Sequence, residues 1–435
     1  MRNRIFCLAF AFLMLLSLSA CGRKTASEAG KLTLYVAQDE TFWTESIEVF
    51  KTEKPNQEIE VVTFKTNDEL ETRLAAEIPA GGGPDVVLWC TYTSGFDMNR
   101  MAKAGNFLAL DDLIAQDETF QSELYFRPVL DAGIIGGKQY IIPAAFHFPT
   151  IVTTQEVFES TGLSKLESIT MYEYLTAVNA EHERLKDDPD KAGLAYVYGG
   201  GFSDTALYSG LLSFDYAAGT IQIEKDKFKE FTVFYKALEE DYKKVSSMQS
   251  IRSLKPGAFS EKFSFLFSDF DPLSSLGGYC DGYLDYNQTP VYFGVDDYDG
   301  EYGRIVNAGL ALAVNKNTKN PELAYAFIRS VMDGPMHPIY RNVGKGLACC
   351  YSVNRSVCTY YLSDTASKAG FRGNYGKYMF PGIYDTLENI GVCRYRALDV
   401  AYILSDAFTP YFNEEKDFDT CYDAMLNSLT LYITE

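Results

Sequence analysis

Histidine is scarce in this sequence, with only three copies among 435 residues. His147, His182 and His337 form neither an H-E-x-x-H motif nor any close cluster, so a histidine-based zinc hydrolase lacks its ligands. The G-x-S-x-G motif of α/β-hydrolases is missing as well. Carboxylates are plentiful, and their number does not exclude a surface glycosidase. The carboxylate pair of such an enzyme is defined by a separation in space, which the sequence does not reveal.

Basic residues are also few relative to acidic ones. The chain has 39 Lys and Arg against 59 Asp and Glu, which gives a net charge of −20. Such a surface repels phosphate groups and excludes nucleic acids and anionic lipid surfaces as partners. The acidic segment 295–300 would place Val295 and Val306 at the first and last ligand positions of a calcium loop. We therefore expect neither a metal nor another cofactor.

Long apolar runs are absent after the N-terminus. Arg2 and Arg4 precede a 14-residue stretch, Ile5 to Leu18, which is apolar except for Ser17. A helix of this length is too short to span a bilayer, and a basic start followed by a short apolar region is typical of a signal peptide.

The segment Leu18-Ser-Ala-Cys21 at the end of this stretch resembles the lipobox of bacterial lipoproteins, in which a lipid is attached to the Cys thiol. We predict a signal peptide over residues 1–20, lipidation of Cys21 with palmitate among the attached chains, and a tether over residues 21–30. The protein is then held on the extracytoplasmic side of the cell membrane by lipid alone. A plain signal peptide is the alternative.

Nine cysteines occur in the chain, and seven remain when Cys7 and Cys21 are set aside. Seven is an odd number, and no C-x-x-C pair exists, so the cysteines predict no metal site. A disulfide that involves Cys349 or Cys350 and a set of buried free thiols are both compatible with the sequence.

Length and composition indicate a folded protein of two or three domains, with 47% hydrophobic and 23% charged residues. Strand patterns over 31–37, 58–64 and 84–89 alternate with helix patterns over 42–50 and 68–78. This order is a βαβαβ unit, which gives a mostly parallel sheet. Ligands of such sheets bind beyond the carboxyl ends of the strands.

Several segments occur in the order and spacing of one known family. They are Ala80-Gly-Gly-Gly-Pro-Asp-Val-Val87, Gly105-Asn-Phe-Leu-Ala-Leu-Asp-Asp-Leu113, Gly137-Lys-Gln-Tyr-Ile-Ile-Pro143 and Ile305-Val-Asn-Ala-Gly-Leu-Ala-Leu-Ala-Val314, the last followed by a helix pattern over 316–328. The chain in these segments resembles the extracellular solute-binding proteins of ABC importers, in the sugar-binding group (family 1) related to maltodextrin-binding protein. Between about 147 and 304 and after 345 the resemblance rests on element order.

The resemblance implies an α/β fold of the periplasmic-binding-protein type, with two lobes that each hold a mostly parallel sheet flanked by helices. We expect an N-lobe from residues 31–146 plus 309–344 and a C-lobe from residues 147–308 plus 345–435. Hinge crossings join the lobes, and ligand closes the cleft between them.

The resemblance also implies a function without catalysis. We expect a monomeric lipoprotein that captures a carbohydrate, in particular an oligosaccharide, and delivers it to the permease subunits of an ABC importer in the membrane. A ligand-binding sensor that partners a histidine kinase uses the same fold and is an alternative, beside the glycosidase.

Sugar rings present C–H faces to aromatic planes and hydroxyl groups to carboxylates, amides and guanidinium groups. For the first lobe the strand ends and the resemblance together give five candidate ligand-binding residues: Asp39, Glu40, Trp43, Trp89 and His147. For the second lobe similarity gives Phe202, Asp269, Phe270, Arg394 and Tyr395. The alternatives are helix capping for Asp39 and Glu40, and core positions for Trp43, His147 and the other aromatic residues.

Overall fold

The chain folds around two α/β cores in a computed structural model. The structure describes residues 30–37, 41–90, 96–185, 187, 195–198, 201–246, 264–268, 289–333, 351–367, 376–395 and 397–434. The strands are β1 (Lys31–Ala37), β2 (Glu58–Phe64), β3 (Val86–Cys90), β4 (Ile134–Ile135), β5 (Lys138–Gln139), β6 (Ile141–His147), β7 (Thr150–Thr154), β8 (Ala195–Tyr198), β9 (Leu212–Asp215), β10 (Thr220–Ile223), β11 (Phe265–Ser268), β12 (Pro290–Phe293), β13 (Arg304–Val314), β14 (Tyr351–Ser352) and β15 (Ile390–Tyr395). The helices are α1 (Thr41–Glu53), α2 (Asn67–Glu77), α3 (Met98–Lys103), α4 (Asp111–Gln116), α5 (Arg127–Asp131), α6 (Gln155–Ser160), α7 (Met171–Leu185), α8 (Gly201–Tyr208), α9 (Lys225–Ser246), α10 (Pro321–Asp333), α11 (Arg355–Ser367), α12 (Gly376–Glu388), α13 (Leu398–Phe412) and α14 (Phe418–Thr434).

The predicted βαβαβ unit is confirmed by β1, α1, β2, α2 and β3. β1 pairs in parallel with both β2 and β3, and the sheet order is β14-β6-β13-β3-β1-β2, with β15 also paired to β13. The sheet is mixed because β13 lies antiparallel between β3 and β6. All eleven residues of β13 are buried, as expected for a strand covered on both faces.

Local sequence fixes where several helices begin. Thr66 precedes α2, and its hydroxyl accepts a hydrogen bond from the backbone N–H of Glu69. Asp97 precedes α3, and one carboxylate oxygen accepts from the backbone N–H groups of Asn99 and Arg100. These caps satisfy backbone donors that the first turn of a helix leaves without partners.

The second core is built on a smaller mixed sheet in the order β12-β7-β11-β8. β11 is parallel to β8 and antiparallel to β7. Helices α7, α8, α9, α13 and α14 supply most of the buried side chains, and aromatic rings dominate the packing between them. Phe228 and Phe408, for example, contact edge to face with ring centroids 5.5 Å apart.

The segment after residue 350 is divided between the two cores. β14 pairs with β6, and Tyr351, Val357 and Leu362 are buried in the same cluster as the first sheet. Helices α13 and α14 belong instead to the second core. Packing therefore places residues 351–362 with the first core, whereas the sequence analysis assigned the whole of 345–435 to the C-lobe.

None of the helices in the described ranges is long and apolar enough to cross a membrane. The predicted signal peptide, Cys21 and the tether lie outside the described residues.

Candidate ligand-binding site

The strand registers bring the carboxyl ends of strands from both sheets to one junction. Leu310 of β13 pairs with Cys90 at the end of β3 and with Ala145 near the end of β6. Two residues separate β6 from β7, and Thr150 at the start of β7 pairs with Ser268 at the end of β11. The ends of β3, β6 and β11 are therefore neighbours, as the βαβ pattern predicts for a ligand site.

Four of the predicted site residues follow the ends of β1 and β11 but lie outside the described residues. Asp39 and Glu40 are the second and third residues after β1, and Asp269 and Phe270 come directly after β11. Their roles as ligand contacts stay predictions.

Trp89 and Tyr395 are brought together at the junction. Trp89 is the fourth residue of β3 and is 5% exposed. Its ring meets that of Tyr395 edge to face, with centroids 5.8 Å apart. Within the described chain, neither the buried indole N–H of Trp89 nor the buried hydroxyl of Tyr395 has a hydrogen-bond partner. Burial holds the pKa of Tyr395 well above its usual value, so the hydroxyl keeps its proton.

A small recess lies between these two rings and α13. It has a volume of about 10 Å³, which is room for about one water molecule. We call it the Trp89 recess; it is lined by Trp89, Phe96, Asp97, Met98, Tyr395, Ala397, Leu398, Asp399 and Tyr432. Two aromatic residues with unpartnered polar atoms, Trp89 and Tyr395, and two acidic residues, Asp97 and Asp399, therefore line one space.

Trp43 and His147 are both interior residues. Trp43 is 2% exposed and packs in the first core with Ile47 and Phe50. This position agrees with the alternative that Trp43 is a core residue of its helix. It also lines a second recess of about 10 Å³ on the other side of Trp89, beside Glu71. His147 is 2% exposed at the end of β6.

Phe202 lies inside the aromatic packing of the second core. Its ring is within 5.2 Å, centroid to centroid, of Tyr235, Phe408 and Phe412, and its side chain is 6% exposed. It lines neither the Trp89 recess nor the larger cavity next to it.

A larger cavity, of about 610 Å³, lies between hairpin β9–β10, the segment 297–302 and β15. We call it the junction cavity. Arg394 and Tyr395 line the junction cavity. Tyr395 and Ala397 line both this cavity and the Trp89 recess, so the two spaces share a wall. Side chains from both cores contribute, among them Asn99 and Ile134 of the first core and Asp215, Tyr216, Asp297, Tyr298 and Tyr302 of the second.

Arg394 is fixed by backbone carbonyl groups. Its Nη1 donates to the oxygen of Leu207 at 3.2 Å and to that of Leu212. Burial lowers the pKa of Arg394 to about 10, although the nearby Asp297 opposes this shift. The group stays charged near neutral pH and positions the strand β15 that carries Tyr395.

Asp97 ties the first core to the second. While one oxygen caps α3, Oδ2 accepts hydrogen bonds from the hydroxyl of Tyr216 at 3.0 Å and from that of Tyr432 at 2.7 Å. The guanidinium of Arg100 lies 4.7 Å from the centroid of the Tyr432 ring. Sequence reasoning missed this cluster, since Asp97 and Tyr432 are 335 positions apart.

The site offers chemistry for binding a polar, ring-shaped solute. Aromatic faces, carboxylates and free N–H and O–H donors are the groups that sugars require. Among the described residues no group of three or more His, Cys, Asp or Glu side chains is arranged to hold a metal ion.

Comparisons with known proteins give one family and one fold. The sequence profile described as bacterial extracellular solute-binding protein matches residues 33–331. A periplasmic oligogalacturonide binding protein from Yersinia enterocolitica superposes with a TM-score of 0.64 at 16% identity, over 93% of this chain and 99% of that one. For the sugar-binding protein MalE from Xanthomonas citri the TM-score is 0.62 at 12% identity, over 93% and 97%.

An ABC substrate-binding protein from Listeria monocytogenes in complex with cycloalternan gives a TM-score of 0.54 at 15% identity, over 93% of this chain and 98% of that one. At such identities the similarity shows the fold. A comparison with curated proteins found no match.

Proposed function

Because the chain belongs to the bacterial extracellular solute-binding proteins, we propose that it captures a carbohydrate between its two cores and hands it to an ABC permease. The family assignment confirms the resemblance found in the sequence. Three structural neighbours are described as binding or being in complex with saccharides: oligogalacturonide, cycloalternan and mannotriose. An oligosaccharide is accordingly the ligand that we propose.

The observation that supports a sugar at the junction is that the buried indole N–H of Trp89 and the buried hydroxyl of Tyr395 have no hydrogen-bond partner in the described chain. A buried donor without a partner costs about 1–3 kcal/mol, so such donors are rare in a stable interior. A sugar has hydroxyl oxygens that accept both hydrogen bonds and C–H faces that pack on both rings. Ligand binding would therefore satisfy the two groups that the described structure leaves without partners.

The Trp89 recess is a better candidate than the larger junction cavity. It adjoins the end of β3, where βαβ sheets bind ligands, and both Trp89 and Tyr395 line it. With a volume of about 10 Å³ the recess is too small for a saccharide, so we propose that the two cores move apart about β6 and β13 and close again on the ligand. Asp39, Glu40, His147, Asp269 and Phe270 stay candidates for further contacts.

We also propose that the mature protein is a monomer anchored to the cell membrane through lipid on Cys21. The test is the mass of the N-terminal peptide of protein extracted from membranes with detergent. Loss of residues 1–20 and a lipid-sized mass increase on Cys21 are expected. A soluble protein with an unmodified Cys21 would contradict the anchor and leave the binding function unaffected.

Binding is tested by thermal unfolding of that protein against a panel of mono- and oligosaccharides. A ligand at 100 times its dissociation constant should stabilise the fold by about 2.7 kcal/mol. We expect a shift with a few related sugars, and recovery of the sugar chemically unchanged. Shortened sugar chains would instead support the glycosidase alternative.

A further inference from the structure

Tyr432 forms one wall of the Trp89 recess. Tyr432 lies in the last turn of α14, two residues before that helix ends at Thr434. Its hydroxyl donates to Oδ2 of Asp97 over 2.7 Å, and both side chains line the recess with Trp89. With only about 10 Å³ free, a saccharide ring cannot enter beside Trp89 while Tyr432 holds this position.

Tyr432 is the wall residue that lies in the last turn of a helix. The final carbonyl groups of a helix have no partner within the helix, and in α14 that of Ile433 accepts a hydrogen bond from Nζ of Lys103 at 2.8 Å. The other described walls belong to β3, to β15, to the start of α3 or to the start of α13, and they are held by sheet pairing or helix packing.

The hydroxyl of Tyr432 has the same chemistry as a sugar hydroxyl. Each is an O–H donor that forms a strong hydrogen bond to a carboxylate, and each is attached to a body that can pack on an aromatic ring. Tyr216 donates to the same oxygen of Asp97 at 3.0 Å and lines the junction cavity, so Asp97 keeps this hydrogen bond and those of its helix cap if Tyr432 leaves.

We propose that Asp97 is a ligand-binding carboxylate and that Tyr432 is an internal competitor, whose hydroxyl occupies the position of a sugar hydroxyl until the ligand displaces it. The inference rests on the proposed carbohydrate function and adds two residues to its site. It predicts that affinity is set partly by how firmly α14 holds Tyr432 against Asp97.

The test uses two substitutions and a matched control in the full chain, with the saccharide of the panel that binds the unsubstituted protein as the probe. Tyr432→Phe removes the competing hydroxyl and keeps the ring, so calorimetry should show binding at least threefold tighter. Asp97→Asn keeps an oxygen for the cap of α3 but removes the charge, and should weaken binding at least tenfold. Tyr325→Phe is the control, because Tyr325 lines neither the Trp89 recess nor the junction cavity, and its hydroxyl donates to Asp117 at 3.2 Å.

A second measurement reports on the recess without ligand. In a Trp43→Phe background, Trp89 is the single tryptophan, and Tyr432→Phe should make its fluorescence more accessible to acrylamide, whereas Tyr325→Phe should not. Sugar binding that is equal in the unsubstituted, Tyr432→Phe and Asp97→Asn proteins would overturn this inference and leave the proposed function standing. No sugar binding by the unsubstituted protein would overturn both.

Discussion

Replacing Trp89 with Phe should lower ligand affinity with little change in stability. The indole N–H of Trp89 is buried and has no partner in the described chain, and such a donor costs about 1–3 kcal/mol. Phe removes the donor, which stabilises the fold, and also removes part of a buried ring, which destabilises it by about 0.8 kcal/mol per methylene-sized group. Because the two effects oppose each other, we expect the free energy of unfolding to change by less than about 1 kcal/mol.

Affinity should respond differently, because the bound sugar would lose its hydrogen bond from Trp89. A neutral hydrogen bond contributes about 0.5–1.5 kcal/mol, which corresponds to a dissociation constant about twofold to tenfold higher. Trp43→Phe is the matched control. Trp43 is 2% exposed within the first core, so this change should lower the free energy of unfolding by about 0.5–3 kcal/mol and leave affinity unchanged.

Tryptophan fluorescence distinguishes the surroundings of Trp89 from those of Trp43, because the chain has only these two tryptophans. Sugar should alter the emission of the Trp43→Phe protein, in which Trp89 is the reporter, and not that of the Trp89→Phe protein. Urea unfolding of both variants gives the stabilities. The reasoning fails if Trp89→Phe binds as tightly as the unsubstituted protein, or if Trp43→Phe loses affinity to the same extent.

Three further changes test the surrounding structure. A Cβ on Gly391 would lie 1.3 Å from the carbonyl oxygen of Tyr302. Gly391→Ala should therefore displace β15 and lower the free energy of unfolding by about 1–3 kcal/mol or more. An unchanged midpoint of urea unfolding would contradict this. Burial raises the pKa of Asp117, but hydrogen bonds from Thr119 and the charge of Arg329 outweigh it and hold the pKa below its usual value. The stabilisation that these contacts give is therefore present above a pH of about 3.9, and it is lost as the pH falls through the lower pKa of Asp117 in the folded state. The free energy of unfolding of Asp117→Asn should depend less on pH in this acidic range. A pH curve parallel to that of the unsubstituted protein would be evidence against the contacts of Asp117. Burial also raises the pKa of the Cys393 thiol, so peptide mapping of natively alkylated protein should find no rapid labelling of the four buried cysteines that the structure describes, Cys90, Cys358, Cys393 and Cys421.

Local patterns in the sequence were enough to predict the frame of the first core. Strand and helix periods gave the elements of the βαβαβ unit, because each buries one face against the same sheet. Trp89 was placed correctly at the end of a strand, and that position rather than its residue type brings it to the junction. Its role as a ligand contact stays a prediction.

Long-range contacts could not be read from local patterns. The tie from Asp97 to Tyr432 depends on how α14 docks, and an aspartate before a helix looks the same whether or not its second oxygen has a partner. Phe202 shows the converse case: the resemblance to the family implied a position in the cleft, but its ring is in the core of the second sheet and helices. An aromatic residue on a helix carries no sequence signal for which of these two environments it faces.

Isothermal titration calorimetry of the membrane-extracted protein with the saccharide panel tests the central claim most directly. Ligand retained from the cells is first removed by unfolding and refolding. We predict saturable binding of one oligosaccharide per chain, with the sugar recovered intact and a weaker affinity in the Trp89→Phe protein. The absence of heat with every sugar, or recovery of the sugar as shorter fragments, would contradict the account.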